Sequence, residues 1–325
     1  MHLPLVLPKG KSMGGAARWA ATAAVPGEGV PMRRCTGRRA TIAHVTTRLP
    51  GGGVPLLAPL ATADGVRLRA MHLPPGPRAT ASVAVVLAHG FGCSIDKPFV
   101  NRIVRRLSDF AGVVAFDFRG HGGSTGRSTL GHAEVLDVDA AVRAARGLGY
   151  EQVVTLGFSM GGASVLRHAG LLGVRTEHRV DGVVSVSAAS RWHRRDTAAL
   201  RRLHWLAVNP MGRRVTRRVL RTRVADRWET EPTPPAALVA RIAPVPLLLV
   251  HGDRDRYLGV DNATDLYDRA QEPRELWLLP GFGHAELALT PELTDRLGAH
   301  LAVLLGRKAG STSAAAASTA DKSMA

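Results

Sequence analysis

Three residue types, set at three places in the chain, could together activate a hydroxyl and attack a carbonyl. Ser159 stands in TLGFSMGG (155–162), with Gly157 and Gly161 each two residues away. Apolar Val153, Val154 and Leu156 precede it, and a helix-like run follows. A strand-to-helix turn sharp enough to lift the hydroxyl clear leaves little room on either side, and the two glycines supply that room. A free hydroxyl is a weak nucleophile near neutral pH. It needs a histidine to take its proton and a carboxylate to orient that histidine. HGDRDRYLG (251–259) offers Asp253 and Asp255, and GFGHAE (281–286) offers His284.

Each of these residues follows a short apolar run, and the runs set the architecture. Strands are predicted at 65–73, 83–90, 112–120, 153–159, 182–188, 246–253 and 276–281. The middle ones are nearly continuous hydrophobics, as strands covered on both faces should be. Helical patterns fall between them, in PFVNRIVRRLSDF (98–110), AEVLDVDAAVRAARGLG (133–149) and PELTDRLGAHLAVLLG (291–306). Alternation of strand and helix predicts an α/β fold, with a mostly parallel central sheet and helices on both faces. Residues 190–243 break this rhythm. Asn209-Pro210 suits the opening of a helix, and Val215, Val219, Val224 and Trp228 recur as an apolar stripe among arginines. The stripe is expected to rest on the mouth of the sheet as a helical cap. The expected organisation is a disordered basic tail over 1–50, core over 51–189, cap over 190–243, core over 244–306 and a disordered tail over 307–325. Met13 or Met32 could be the true initiator.

Charge is uneven along the chain. The formal net charge is +17, of which residues 1–50 hold +7 and residues 191–241 hold +9. Solvated faces and arginine-rich codon usage would account for it; attraction to anionic lipid, nucleic acid or an acidic substrate is the functional reading. No nucleic-acid-binding motif accompanies the charge, so no specific nucleic-acid partner is expected. Two cysteines, Cys35 and Cys93, make no disulfide framework, and a reducing, cytoplasmic setting is expected. No run reaches the roughly 18 apolar residues that span a bilayer, and the N-terminus lacks the apolar core and cleavage site of a secretory signal.

The motifs HGFG (89–92), DFRGHGGS (117–124), GFSMGG (157–162) and HGDRD…GFGH (251–255, 281–284) resemble those of the α/β-hydrolase fold superfamily, over roughly residues 55–306. The chain looks most like its monoacylglycerol lipase, lysophospholipase and serine aminopeptidase branch. The resemblance implies a triad of Ser159, Asp255 and His284, in the chain order of that fold, with Asp253 as a loop or capping residue. It implies oxyanion donors at the amides of Phe91 and Met160, and loop-shaping roles for His89, Asp117, Arg119 and His121. Cys93 reads as a small buried residue. Such a site needs no cofactor and no metal. It implies cleavage of a carboxylic ester through an acyl-enzyme. Trp192, Leu203, Trp205, Leu206 and Trp228 either line an apolar acyl pocket or anchor the cap to the core. A cofactor-free perhydrolase or acyltransferase on the same triad, and a non-catalytic ligand-binding homologue, are the alternatives. The cap arginines suggest peripheral contact with anionic lipid, and the oligomeric state is open.

Overall fold

In the computed structural model, residues 57–173, 178–192, 196–226, 228 and 230–320 are described, with the backbone alone from 307 onward. The expected basic tail over 1–50 lies outside the described residues.

Each predicted run forms a strand, the 65–73 run forms two, and a short strand outside those runs precedes them. The strands are β1 (Leu60–Ala61), β2 (Arg67–Leu68), β3 (Ala70–Leu73), β4 (Thr80–Ala88), β5 (Ala111–Phe116), β6 (Gln152–Phe158), β7 (Gly182–Val186), β8 (Leu247–Gly252) and β9 (Arg274–Leu279). β1 and β2 pair apart from the rest. The other seven form one sheet in the order β3-β5-β4-β6-β7-β8-β9. Only β3 runs antiparallel to its neighbour; the remaining pairs are parallel. Every residue of β5, β7 and β8 is buried, because helices cover both faces. Alternate residues feed separate cores. Val86, Phe116 and Val183 face α2 (Glu134–Gly147), α3 (Met160–Leu171) and α7 (Asp261–Arg269). Val85, Val113 and Val184 face α1 (Pro98–Leu107) and α8 (Pro291–Ala320).

The strand order carries the functional consequence. The chain leaves β4 toward β5 on one side and returns to β6 on the other, with α1 and α2 on opposite faces. The loops after β4 and β6 therefore part at the carboxyl edge, where open α/β sheets bind ligands. Ala88 pairs with Gly157 in that register, which brings the loop beginning at His89 beside Ser159.

Between β7 and β8 lie α4 (Ala198–Val208), α5 (Pro210–Val219) and the short α6 (Pro235–Leu238). Thr197 caps α4 by accepting from the Leu200 amide at 3.1 Å. Asn209 ends α4 and caps α5, accepting from the Met211 amide at 2.9 Å. The expected apolar stripe is corrected. α5 ends at Val219, so Val224 and Trp228 lie outside it, and Val215 and Val219 are exposed. The inward contact uses Gly212 and Thr216 instead. A Cβ at Gly212 would lie 2.3 Å from the Trp205 carbonyl oxygen, and the Thr216 hydroxyl donates to the Leu206 carbonyl at 3.1 Å. Small residues win this face because the two helix backbones approach so closely.

The final helix also departs from expectation. Its backbone stays helical to Ala320, within the stretch expected to be unfolded. Ala314–Ala317 have the highest helix propensity, and extending an existing helix needs no new nucleus. No helix among the described residues is long and apolar enough to cross a membrane.

A buried polar cluster joins α2 to α3. Asp139 meets His178 Nδ1 at 2.5 Å, Arg143 Nε at 2.9 Å and His168 Nε2 at 3.6 Å. Burial pushes the Asp139 carboxyl up, but His168, Arg143 and His178 outweigh it and hold it down to about 2. A depressed carboxylate stabilises the fold above its unfolded value and loses that contribution as pH falls. Asp139→Asn should therefore cost about 2 kcal/mol at pH 7. In urea denaturation the gap to the parent should close between about pH 4 and pH 2.

Candidate active site

β6 stops at Phe158 and α3 starts at Met160, so Ser159 alone turns the corner. Its φ of 51° and ψ of −112° lie where few non-glycine residues go. The glycines around it are required by contact. A Cβ at Gly157 would lie 2.3 Å from the Gly161 carbonyl oxygen, and one at Gly161 would lie 2.2 Å from that of Ala88.

The structure brings Ser159, His284 and Asp255 together. Ser159 Oγ lies 2.9 Å from His284 Nε2, and His284 Nδ1 lies 2.6 Å from Asp255 Oδ2. Asp253 is elsewhere, accepting from the Gly281 amide at 2.7 Å and fastening the loop that carries the histidine. The other oxygen of Asp255 accepts from the amides of Tyr257 and Leu258 at 2.8 and 3.0 Å. Burial pushes the Asp255 carboxyl up. The His284 hydrogen bond and charge, with the two amides, outweigh burial and hold it below the usual carboxylate range. The anion can therefore fix the imidazole tautomer and balance an imidazolium. Ala285 donates to Ser187 Oγ at 3.1 Å, and the Tyr257 ring lies 4.6 Å from that of His284. Both contacts limit the swing of the imidazole.

Phe91 and Met160 both line the cavity in front of Ser159. Among the described residues their backbone amides meet no acceptor. The peptide joining Gly90 to Phe91 is clamped from its carbonyl side: the oxygen of Gly90 accepts from His89 Nδ1 at 2.7 Å and from the Cys93 amide at 3.2 Å. The Gly90 amide donates to buried Glu286 at 2.9 Å. Planarity of the peptide then fixes the direction of the Phe91 N–H.

The neighbouring polar residues serve the loops, as expected. Buried Asp117 accepts from the amides of Ile95 at 2.8 Å and Gly123 at 2.9 Å. Arg119 pairs with Asp137 and Asp64, both at 2.8 Å. Burial, aided by His89, lowers the His121 pKa to about 3, and its Nδ1 donates to the Arg119 carbonyl at 3.0 Å. Cys93 is buried, and burial with nearby Glu286 pushes its thiol up, so it is a poor nucleophile.

A cavity of about 600 Å³ opens between Ser159 and the inserted helices. Trp192, Leu203 and Trp228 line it; Trp205 and Leu206 do not. α4 presents Leu200, Leu203, His204, Ala207 and Val208 to the cavity, which is one helical face by period. Trp205 falls on the reverse. Two functional supports were missed from sequence. Glu286 is one. Glu134 is the other: it accepts from Ser128 Oγ, the amides of Thr129 and Gly131 and the Thr129 hydroxyl, at 2.6–2.9 Å. That holds the wall at 128–131, whose Thr129 carbonyl receives the Trp228 indole at 2.6 Å. Glu134 stands in no motif, and Glu286, two residues past His284 in GFGHAE, has a partner 196 residues away that no local pattern encodes. No group of three metal-ligating side chains occurs among the described residues.

The family described as alpha/beta hydrolase fold matches residues 83–207. An esterase of Pyrococcus furiosus superposes with a TM-score of 0.58 at 21% identity, covering 77% of this chain and 91% of its own. This is an α/β-hydrolase fold. An esterase domain from a Rhodothermus marinus protein, 25% identical, has a TM-score of 0.52 and covers 75% of this chain and 94% of that domain. The uncharacterized protein YfhR of Escherichia coli is 27% identical over 231 residues, 69% of this chain and 71% of its own. The turn at Ser159 closes only if its flanks lack side chains. Gly161→Ala should destabilise the protein by roughly 1–3 kcal/mol in denaturant melts, since its Cβ meets backbone that cannot rotate away.

Proposed function

We propose that the protein is a serine hydrolase that cleaves a carboxylic ester through Ser159, His284 and Asp255. The observation that carries this reading is the unbroken line of contacts, 2.9 and 2.6 Å, from hydroxyl to imidazole to carboxylate. His284 Nε2 takes the Ser159 proton as Oγ bonds to the carbonyl carbon. Charge moves onto the carbonyl oxygen, which the amides of Phe91 and Met160 receive. Collapse of that intermediate breaks the C–O bond to the alcohol, and His284 returns the proton to the departing oxygen. Water then repeats the sequence on the acyl-serine and frees the acid. Asp255 stays ionised throughout and holds the imidazole. Trp192, Leu203 and Trp228 suit an apolar acyl group, and similarity to esterases supports an ester over an amide.

A p-nitrophenyl ester series from acetate to palmitate, run beside fluorophosphonate labelling, tests the reading. The protein should turn over at least one ester and label once, at Ser159. Ser159→Ala and His284→Ala should lower kcat by at least about 10³-fold, and Asp255→Asn by about 10³–10⁴-fold. Hydrolysis that survives Ser159→Ala at the parent rate sinks the proposal.

Glu286 generates a second prediction, because it reaches the oxyanion loop from the histidine's side. Glu286→Ala frees the Gly90 amide and should lower kcat by roughly 10–100-fold with little change in KM. Glu286→Gln keeps an acceptor and should recover most of the loss. A fall in KM affinity alone, with kcat intact, would contradict a positioning role.

A further inference from the structure

The outer face of the inserted helices is exposed where the inner face lines the cavity. Seven large hydrophobic side chains are exposed among the described residues, and four of them fall between 205 and 219. Trp205 is 47% exposed, Met211 55%, Val215 39% and Val219 69%. Met211, Val215 and Val219 recur every fourth residue along one side of α5. Arg214, Arg217 and Arg218 occupy its other outward positions. On α4, Arg201, Arg202, Trp205 and Leu206 line a groove of about 510 Å³. Residues 197–225 hold eight arginines and no aspartate or glutamate.

A solvated face would carry charge without the apolar stripe, and a docking face for a folded partner would carry the stripe without so much charge of one sign. A nucleic acid would be met by several rings for base stacking, whereas Trp205 is the one large aromatic side chain exposed on this face among the described residues and the α5 stripe is aliphatic. Apolar tips ringed by guanidinium groups fit a boundary that is anionic outside and hydrocarbon within. We infer that the outer face of α4 and α5 docks on an anionic lipid surface. Trp205 would sit at headgroup level, as tryptophan does at membrane interfaces, and the arginines would contact lipid phosphates. Docking would leave the inner face of α4 lining the cavity, so the cap would bring the Ser159 site to the lipid boundary. The placement of that site rests on the proposed hydrolase reading; the docking itself does not.

Co-sedimentation of the full chain with vesicles tests the inference. Vesicles of phosphatidylcholine alone are compared with vesicles in which about one third is phosphatidylglycerol. The protein should bind the anionic vesicles at least about tenfold more tightly, and raising salt from about 50 to 500 mM should weaken that binding by a similar factor. Met211→Ser with Val219→Ser, and separately Arg214→Glu with Arg218→Glu, should each cut binding about tenfold or more. Both double variants should keep the parent's melting temperature and its hydrolysis of p-nitrophenyl butyrate. Ser159→Ala should bind vesicles like the parent, so a failed hydrolase reading leaves this result standing. Equal binding to both vesicle types, or no binding, overturns the inference. So does loss confined to the charge variant with equal retention on random-sequence DNA, which marks a general polyanion binder. Loss of self-association in the apolar variant, with vesicle binding intact, would assign the stripe to a second copy instead.

Discussion

Everything in the candidate site depends on one steric constraint, the closeness of three backbones around Ser159. The β4 carbonyl of Ala88, the β6 end at Gly157 and the first turn of α3 meet where no Cβ fits. That crowding lets a serine take a φ of 51°, because the surrounding structure over-determines it. It also sets the angle at which α3 leaves the sheet, aiming the first amides of the helix toward the space in front of the hydroxyl. The parallel register of β4 with β6 is the other half of the constraint. It places the 89–92 loop opposite Ser159, so the hydroxyl and the two candidate donors come from adjacent strands rather than from one flexible segment.

The sheet and the three facing residues were legible in the sequence because each leaves a local mark. Continuous apolar runs report strands covered on both faces, and the elbow glycines report crowding. Asp255 was legible only through its motif, since the runs alone left Asp253 equally available. The 2.7 Å bond from the Gly281 amide to Asp253 is a contact between residues 28 apart, which no local pattern encodes. The cap is less legible for a physical reason. Val215, Val219, Val224 and Trp228 repeat at helical spacing, but the helix ends between the second and third of them. Residue type alone puts Trp205 with the acyl pocket, while the helical spacing of 200, 203, 204, 207 and 208 sets it on the opposite side of α4.

Buried acids form a second layer, of which only Asp117 stands out in the sequence, through its motif. Asp117, Glu134 and Glu286 each accept amide hydrogens from a loop that borders the cavity. A carboxylate taken out of water is expensive unless donors surround it, so each one constrains the loop it serves to the conformation that supplies those donors. This is a way to hold irregular backbone rigidly without regular secondary structure. Glu286 does so across two loops that belong to different strands, which ties the position of His284 to that of the Phe91 amide.

The cap is fastened differently, and the difference bears on how it can work. Its base is bolted to the core: the buried guanidinium of Arg167 donates to the carbonyls of Gly131, His132 and Thr233 at 2.6–2.9 Å. The Trp192 indole donates to the Pro232 carbonyl at 2.5 Å. The 223–225 segment is stitched to the loops at 120 and 128 by three backbone bonds of 2.7–2.8 Å. α4 and α5 lie between these anchors and pack mainly on each other, through Gly212 and Thr216. Local stability follows local packing, so this hairpin is the part of the cavity wall that can shift while its roots stay fixed. The face of α4 reverse to that wall carries the exposed Trp205 and the arginines beside it.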